Sequence, residues 1–518
     1  MAPTSPDATS PDATGPDATG PDGLDPTGPD AGAEELLRLL RTGPVHVVAA
    51  GGAGMSALVR LLLDDGVPVT GSDSRASATL DALGARGAAV HVGHDAAHVA
   101  GAALVVVSTA VKDDNPEVRA AREAGVPVVH RSVALAGLMH GSRVVAVAGT
   151  HGKTTTTSMT AVAARAAGLD PSYAIGGDLV LDCVNARRGS DPVFVVEADE
   201  SDASFLAYRP DVAVVTNVEA DHLDHYGDVE HVHAAFARFA ERVRPGGLLV
   251  VGADDRGARA LVRGLGPGGP RVVTVGESPD ADVRVVVEEP EGDGVLAAAR
   301  LVVAGDAPAP GEWSLRLRVP GRHNLADAAL AFAAAVLGLG LDPARVAEGL
   351  AGFTGARRRF EPVGESRGVR VVDDYAHHPT EVAATLAAAR TVVGRGKVHV
   401  LFQPHLYSRT RIFAEGFATA LADAATVVVL DVYGAREEPE PGVSGATVAD
   451  LVPGARFVPD RDEAVAALAH AARSGDLVLT VGAGDVTELG PRLVAALDAG
   501  PSGPSGLSGP SVPAGGRA

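Results

Sequence analysis

The chain has 518 residues, 46% of them hydrophobic and 21% charged, with a formal net charge of −21. That length exceeds what one core supports and predicts about three domains, while the acid excess argues against a nucleic-acid partner. The lone cysteine, Cys183, excludes an intramolecular disulfide framework. No secretory signal is visible, and apolar runs such as residues 102–107 are far shorter than the ~20 residues of a membrane span, so a cytoplasmic protein without membrane insertion is expected.

Residues 1–34 repeat the unit Ser/Gly-Pro-Asp-Ala-Thr and carry no basic residue. Little apolar surface offsets the entropy of ordering them, so this acidic tail is predicted disordered, as is the Gly/Pro/Ser-rich segment 499–518. Between the tails, strand-like and helix-like segments alternate, the pattern of parallel α/β layers. The first predicted domain, 35–142, opens with a strand at 45–49, a glycine-rich turn and a helix to about residue 65. Further strands follow at 67–70, 88–92, 104–108 and 126–130. The turn reads Gly52-Ala53-Gly54-Met55-Ser56-Ala57, which fits G-x-G-x-x-G/A, and Asp73 lies about 20 residues on. Glycines there let a diphosphate approach the backbone while the acid takes a ribose hydroxyl. The residues alone leave NAD and a UDP-sugar equally open.

The second predicted domain, 143–356, begins with a strand at 143–148 that runs into Gly149-Thr150-His151-Gly152-Lys153-Thr154-Thr155. Backbone N–H groups at the start of the following helix attract a polyphosphate, Lys153 adds a point charge, and the next hydroxyl suits Mg²⁺. Val147 stands where the pattern G-x-x-x-x-G-K-S/T has its first glycine, so the loop is the shorter G-T-x-G-K-T form. An acidic run from Glu197 to Asp202 ends the next strand, where a carboxylate can share the phosphate loop's Mg²⁺. After a strand at 212–217 come Asp221, His222, Asp224, His225, His231 and His233. His with carboxylate also suits zinc, so a zinc hydrolase is a third-ranked reading. Residues 271–319 read as a β-rich insertion. His323 and Asn324 head an Ala-rich helix, where an amide can read a base edge, and 357–360 is a basic turn that can reach an anion.

The third predicted domain, 357–498, has strands at 369–373, 398–403, 427–432 and 477–481. Asp374, Tyr375 and His377 follow the first of these, and Arg409 and Arg411 follow the second. Guanidinium groups there suit a substrate carboxylate.

Taken in order, these motifs resemble the Mur ligases of peptidoglycan synthesis. The likeness runs from about residue 45 to 497 and rests on GGAGMS at Gly51, GTHGKTTTTS at Gly149, EADESDASF at Glu197, TNVEADHLDHY at Thr216, DDYAHHPTE at Asp373 and FQPHLYSRT at Phe402. The resemblance implies an α/β fold of three domains: an N-terminal Rossmann-like UDP-binding domain, a central P-loop ATPase-like parallel-sheet domain and a C-terminal Rossmann-like domain. It implies an ATP-dependent ligase that activates the carboxylate of UDP-N-acetylmuramate as an acyl phosphate and joins L-alanine to it, with Mg²⁺ as cofactor. Gly52, Gly54, Met55, Ser56 and Asp73 would then belong to the UDP-sugar site. Gly149–Thr155 would hold ATP, with Lys153 on its phosphates, His323 and Asn324 on adenine, Asp374 on the ribose and Arg359 on the phosphates. Thr154 and Glu197 would hold one Mg²⁺ and His222 a second, and Tyr375, His377, Arg409 and Arg411 would receive the amino acid. Lys153, Glu197, His222 and Arg409 would carry catalysis. Three positions depart from the family pattern: Ala49 replaces a glycine, Asp327 replaces the second Asn of H-N-x-x-N, and Phe236 stands where other members carry a modified lysine. The alanine-adding branch also lacks that lysine. A recycling ligase that adds a tripeptide, and an NAD-dependent oxidoreductase built on the first glycine turn, are the alternatives.

Overall fold

The computed structural model describes residues 31–40, 42–305, 309–435 and 437–499. Of the two predicted tails, 1–30 and 500–518 lie outside these residues. Residues 31–34, expected in the tail, instead open the helix Ala31–Leu40. Leu36 and Leu40 lie one turn apart on it and are both buried, so an apolar stripe rather than composition decides the local state.

Three sheets follow one another along the chain. The first contains β1 (Val45–Val48), β2 (Val69–Asp73), β3 (Ala89–Val92), β4 (Leu104–Val107) and β5 (Val128–His130) in the order β3-β2-β1-β4-β5, all parallel. The second has ten strands. They are β6 (Arg143–Ala148), β7 (Ser172–Leu179), β8 (Val184–Arg187), β9 (Val193–Glu197), β10 (Val212–Val215), β11 (Leu248–Gly252), β12 (Arg271–Gly276), β13 (Val283–Glu288), β14 (Ala297–Val303) and β15 (Gly311–Leu317). Their order is β15-β14-β13-β12-β11-β10-β6-β9-β7-β8, parallel from β13 to β7 and antiparallel at both edges. The third contains β16 (Glu361–Ser366), β17 (Val369–Asp374), β18 (Val398–Phe402), β19 (Thr426–Val429), β20 (Arg456–Phe457) and β21 (Leu477–Val481), ordered β16-β17-β21-β18-β19-β20.

Central strands such as β10 (Val-Ala-Val-Val) are buried throughout, as expected when helices cover both faces of a parallel sheet. The segment expected as an insertion at 271–319 is not separate. β12 and β13 continue the parallel sheet, and β14 and β15 extend its edge, because Ala297, Ala299, Leu301 and Val303 of β14 and Leu315 and Leu317 of β15 are buried in the sheet's own core.

The cores differ in what they join. One apolar cluster runs without a break from Leu36 and Leu58 of the first part to Phe194, Phe205 and Phe239 of the second. The third part has cores of its own. It meets the second largely through polar side chains, described next. No helix among the described residues is long and apolar enough to cross a membrane.

Candidate active site

A cleft of about 960 Å³ opens where the three parts meet, lined by Gly54, Ser56 and Arg60 from the first, Lys153, Glu197 and His222 from the second, and Arg359, Tyr375 and His377 from the third. A smaller cavity of about 200 Å³ adjoins it, with Gly152, Thr155, His323, Asn324, Asp327, Arg359 and Asp374 in its walls. His151 and Glu381 line both.

The phosphate loop links β6 to the helix Lys153–Ala166. Its shape requires glycine twice. Gly149 sits at φ 134°, where a Cβ would fall 1.9 Å from Thr216 Oγ1, and Gly152 at φ 81°, where it would fall 2.4 Å from Asp327 Oδ1. The end of β10 clamps the loop from beside: His151 N–H donates to Asn217 Oδ1 at 2.8 Å, and Thr216 Oγ1 donates to the His151 carbonyl. Lys153 folds back on its own loop, donating to the carbonyls of Gly149 (2.7 Å) and Thr150 (3.1 Å) and to Glu200 Oε1 (2.7 Å). Burial works against its charge, but the Glu200 and Asp199 carboxylates outweigh it and raise its pKa. Burial and Asp199 push Glu200 up to about 7 against the pull of Lys153.

Glu197 ends β9 and accepts the Gly176 N–H from β7 at 2.7 Å. Thr154 is buried at the first turn of the loop's helix and lines the same cleft. His222 is held at φ 54°, a strained conformation for a residue with a side chain, which turns it into the cleft. Burial lowers its pKa, and its Nε2 faces Asp221 Oδ2 at 3.7 Å and Glu200 Oε1 at 3.9 Å. Its neighbour Asp221 accepts from Arg409 Nη2 at 2.7 Å, with both side chains almost fully buried. Despite burial, that guanidinium holds the Asp221 carboxyl well below the usual range.

In the first part, Asp73 is tied to the glycine turn by the Gly51 N–H at 2.9 Å. Ser56 lines the cleft, and Asn185 from β8 donates to Ala53 O (2.8 Å) and to Ser56 Oγ (3.2 Å), fastening the turn to the second part. Met55 is buried in the core instead. Ala49 adopts φ 61°, the left-handed region that a glycine enters without strain. From the third part, Asp374 accepts the N–H groups of Phe360 and Ala376, both at 2.8 Å, and burial pushes it up to about 6. The guanidinium groups of Arg358 and Arg359 lie 4.9 and 5.1 Å from the Tyr375 ring centre. Burial takes His377 down to about 3.

Of the expected site residues, Gly52, Met55, Asp73, Gly149, Arg409 and Arg411 line neither cavity. Arg411 is exposed and pairs with Glu440 at 2.8 Å; two residues from Arg409 on the helix Tyr407–Leu421, it lies on a different face. Arg409 is not in the cleft wall; it pairs with Asp221, which is. Of the histidines considered for zinc, His222 lines the cleft, whereas His225 and His231 are exposed. Arg131 was not anticipated: it bridges the first two parts by pairing with Asp199 at 2.7 Å and lies against Gly54. The capping glutamate Glu381 was missed too, although the run His-Pro-Thr-Glu carries a recognisable helix-start signal.

Three family profiles match the chain in succession: "Mur ligase family, catalytic domain" over residues 44–143, "Mur ligase middle domain" over 147–335 and "Mur ligase, glutamate ligase domain" over 358–484. The UDP-N-acetylmuramate–L-alanine ligase of Kineococcus radiotolerans is 59% identical over 466 residues, 88% of this chain and 97% of that protein. The enzyme of the same name from Paenarthrobacter aurescens is 54% identical, covering 88% of this chain and 97% of its own length. Among solved structures, a UDP-N-acetylmuramate-alanine ligase from Thermotoga maritima superposes with a TM-score of 0.72 at 30% identity, covering 88% of this chain and 99% of that one. A murein peptide ligase from Psychrobacter arcticus, 23% identical with a TM-score of 0.65, covers 88% of this chain and 99% of its own and shares the fold.

Proposed function

The chain belongs to the Mur ligase family, and from that premise we propose that it joins L-alanine to the carboxylate of UDP-N-acetylmuramate at the expense of ATP, in peptidoglycan precursor synthesis. The observation that carries the choice of substrates is the 59% identity, over nearly the whole chain of the relative, to a protein named for this activity. The cleft suits a three-substrate reaction, because each part of the chain contributes a wall.

In this reading the glycine turn and Asp73 receive the UDP-sugar, the phosphate loop holds ATP with adenine in the smaller cavity, and Tyr375 and His377 meet the amino acid. Arg409, outside the cleft wall, acts through Asp221, whose carboxylate it fixes at 2.7 Å. The muramyl carboxylate oxygen bonds to the γ-phosphorus as ADP leaves. The alanine amine then attacks the acyl carbon, and phosphate departs from the tetrahedral centre. Carboxylate and phosphate repel as they meet, so Lys153 must exchange Glu200 for the phosphates and screen them. The Thr154 hydroxyl and the Glu197 carboxylate are oxygen donors that fit Mg²⁺, and the His222 ring in the same cleft adds a further donor or water-orienting group. When bound, Mg²⁺ neutralises charge on the transferring phosphoryl group. Closure of the third part on the other two aligns the substrates and excludes water.

Phosphate release with UDP-N-acetylmuramate, ATP and a panel of acceptors tests the assignment. L-alanine is expected to be the preferred acceptor. A tripeptide that outperforms it would move the chain to the recycling activity, and nicotinamide reduction without ATP consumption would defeat both readings.

A further inference from the structure

At the phosphate loop, three side chains from three segments converge. His151 comes from the loop itself, Glu219 from the segment after β10, and His378 from the N-cap of the helix Pro379–Val393 in the third part. One ligand atom from each lies within 4.8 Å of the others, the only such group of His, Cys, Asp or Glu among the described residues. His151 Nε2 stands 3.6 Å from a Glu219 oxygen, and the two imidazole centres are 4.6 Å apart. Tetrahedral coordination with bonds of 2.0–2.1 Å sets neighbouring ligand atoms about 3.3 Å apart, so small rotations close the set. The Nε2 atoms of both histidines are buried and neither completes a hydrogen bond, that of His151 facing the Glu219 carboxylate at 3.6 Å. A buried ring nitrogen without a partner is costly unless something fills the space it faces.

The groups behind these three match what a metal site needs. His151 Nδ1 faces Glu381 Oε1 at 3.0 Å, the carboxylate–histidine contact that fixes a ring so that its other nitrogen can ligate. Thr380 Oγ1 donates to Glu219 at 2.8 Å and orients that carboxylate. Glu219 and Glu381 bring two negative charges to one imidazole, which either a proton on the ring or a divalent cation at Nε2 offsets. His378 Nδ1 now receives the Thr380 N–H at 3.4 Å. Ligation through Nε2 moves the proton to Nδ1, which then meets the Thr380 N–H as a second donor, so the ring must turn and give up its part of the helix cap.

We propose that His151, Glu219 and His378 form a binding site for a Zn²⁺-class transition metal, separate from the Mg²⁺ positions of the ligase reaction, which fastens the third part of the chain to the phosphate loop. Two imidazoles and one carboxylate favour a borderline cation such as Zn²⁺ or Co²⁺ over Mg²⁺, which prefers oxygen. A fourth position is left for water.

The full-length protein, stripped with chelator and kept in excess Mg²⁺, is titrated with Co²⁺ and then Zn²⁺. The expected result is a single saturable equivalent, with the visible bands of tetrahedral Co²⁺ that Zn²⁺ abolishes. His378→Asn removes a ligand yet keeps a good helix cap, and Glu219→Gln removes the carboxylate. Each is expected to weaken Co²⁺ binding by about 100-fold, with the circular dichroism of the folded chain preserved. His231→Ala, at an exposed histidine, is expected to change nothing. Absence of tetrahedral Co²⁺ bands in the unmodified protein, undiminished binding in either ligand variant, or loss of binding in His231→Ala would each overturn the site. None of these readouts depends on the ligase activity.

Discussion

The buried ion pair between Asp221 and Arg409 allows a quantitative test of how the third part is held. The two side chains meet at 2.7 Å with relative exposures of 7% and 6%. Arg409→Met keeps the apolar stem and removes the charge, leaving Asp221 in a low-dielectric seam. Stranding one partner of such a pair costs about 3–5 kcal/mol. Protonation of Asp221 sets a ceiling on that cost. From a reference pKa near 3.9, neutralising it takes about 5 kcal/mol at pH 7.5 and about 3 kcal/mol at pH 6. In the unmodified chain the Asp221 pKa is lowered, so its stabilisation is present above the unfolded pKa and is lost only as pH falls through the folded one. In Arg409→Met the sign reverses: the folded state now holds a proton that the unfolded state releases, so stability rises as pH falls. Urea unfolding of the parent, Arg409→Met, Asp221→Asn and the double variant, at pH 6 and 7.5, forms a double-mutant cycle. The double variant should recover much of the loss. A coupling below about 1 kcal/mol at pH 7.5, the level of an exposed pair, or a penalty that does not shrink at pH 6, would refute the reasoning.

Three further outcomes follow from the same contacts. Lys153→Ala should lower ADP formation by at least about 10³-fold while UDP-N-acetylmuramate still binds in calorimetry; normal turnover would remove Lys153 from the phosphate site. Ala49→Gly should stabilise the first part by about 1 kcal/mol, because alanine at φ 61° is strained, and an unchanged or lower melting temperature would count against that conformation. Burial raises Asp327 to about 7, so its penalty grows as pH rises from the unfolded pKa towards 7 and then levels off. Asp327→Asn should therefore gain on the order of 2–4 kcal/mol at pH 8 and little at pH 4, and equal gains at both pH values in urea unfolding would contradict the buried-acid account.

Much of the frame was legible in the chain because local signals coincide there. A buried apolar run followed by glycines and a helix marks both the turn at Gly52 and the loop at Gly149, and β9, β10, β17 and β18 each end in the motif that reaches the seam. The hairpin β7–β8 was not legible. Its run Ser-Tyr-Ala-Ile-Gly-Gly-Asp-Leu lacks clear alternation, and its glycines read as a loop, yet Gly176 on it orients Glu197. Side chains that pair across the seams were equally hidden. Arg409 and Asp221 lie 188 residues apart, and Arg131 and Asp199 lie 68 apart, distances at which spacing rules say nothing. Arg411 could have been set aside from the sequence, since residues two apart on a helix do not share a face. The conformation of Ala49 was foreshadowed by its replacing a glycine, although the sign of φ only emerges from the folded loop.

The unequal seams between the three parts give the molecule a preferred line of parting. Separating the first two would expose a continuous apolar core to water, at about 25 cal/mol for each Å² uncovered. The third is held largely by contacts such as Arg409–Asp221, His151–Glu381 and Thr380–Glu219, whose polar groups water can solvate in turn. The third part is therefore expected to separate from the other two more readily than those two separate from each other. Dissolved salt screens charges at such a polar seam but leaves an apolar core intact, so added salt is expected to loosen the third part selectively.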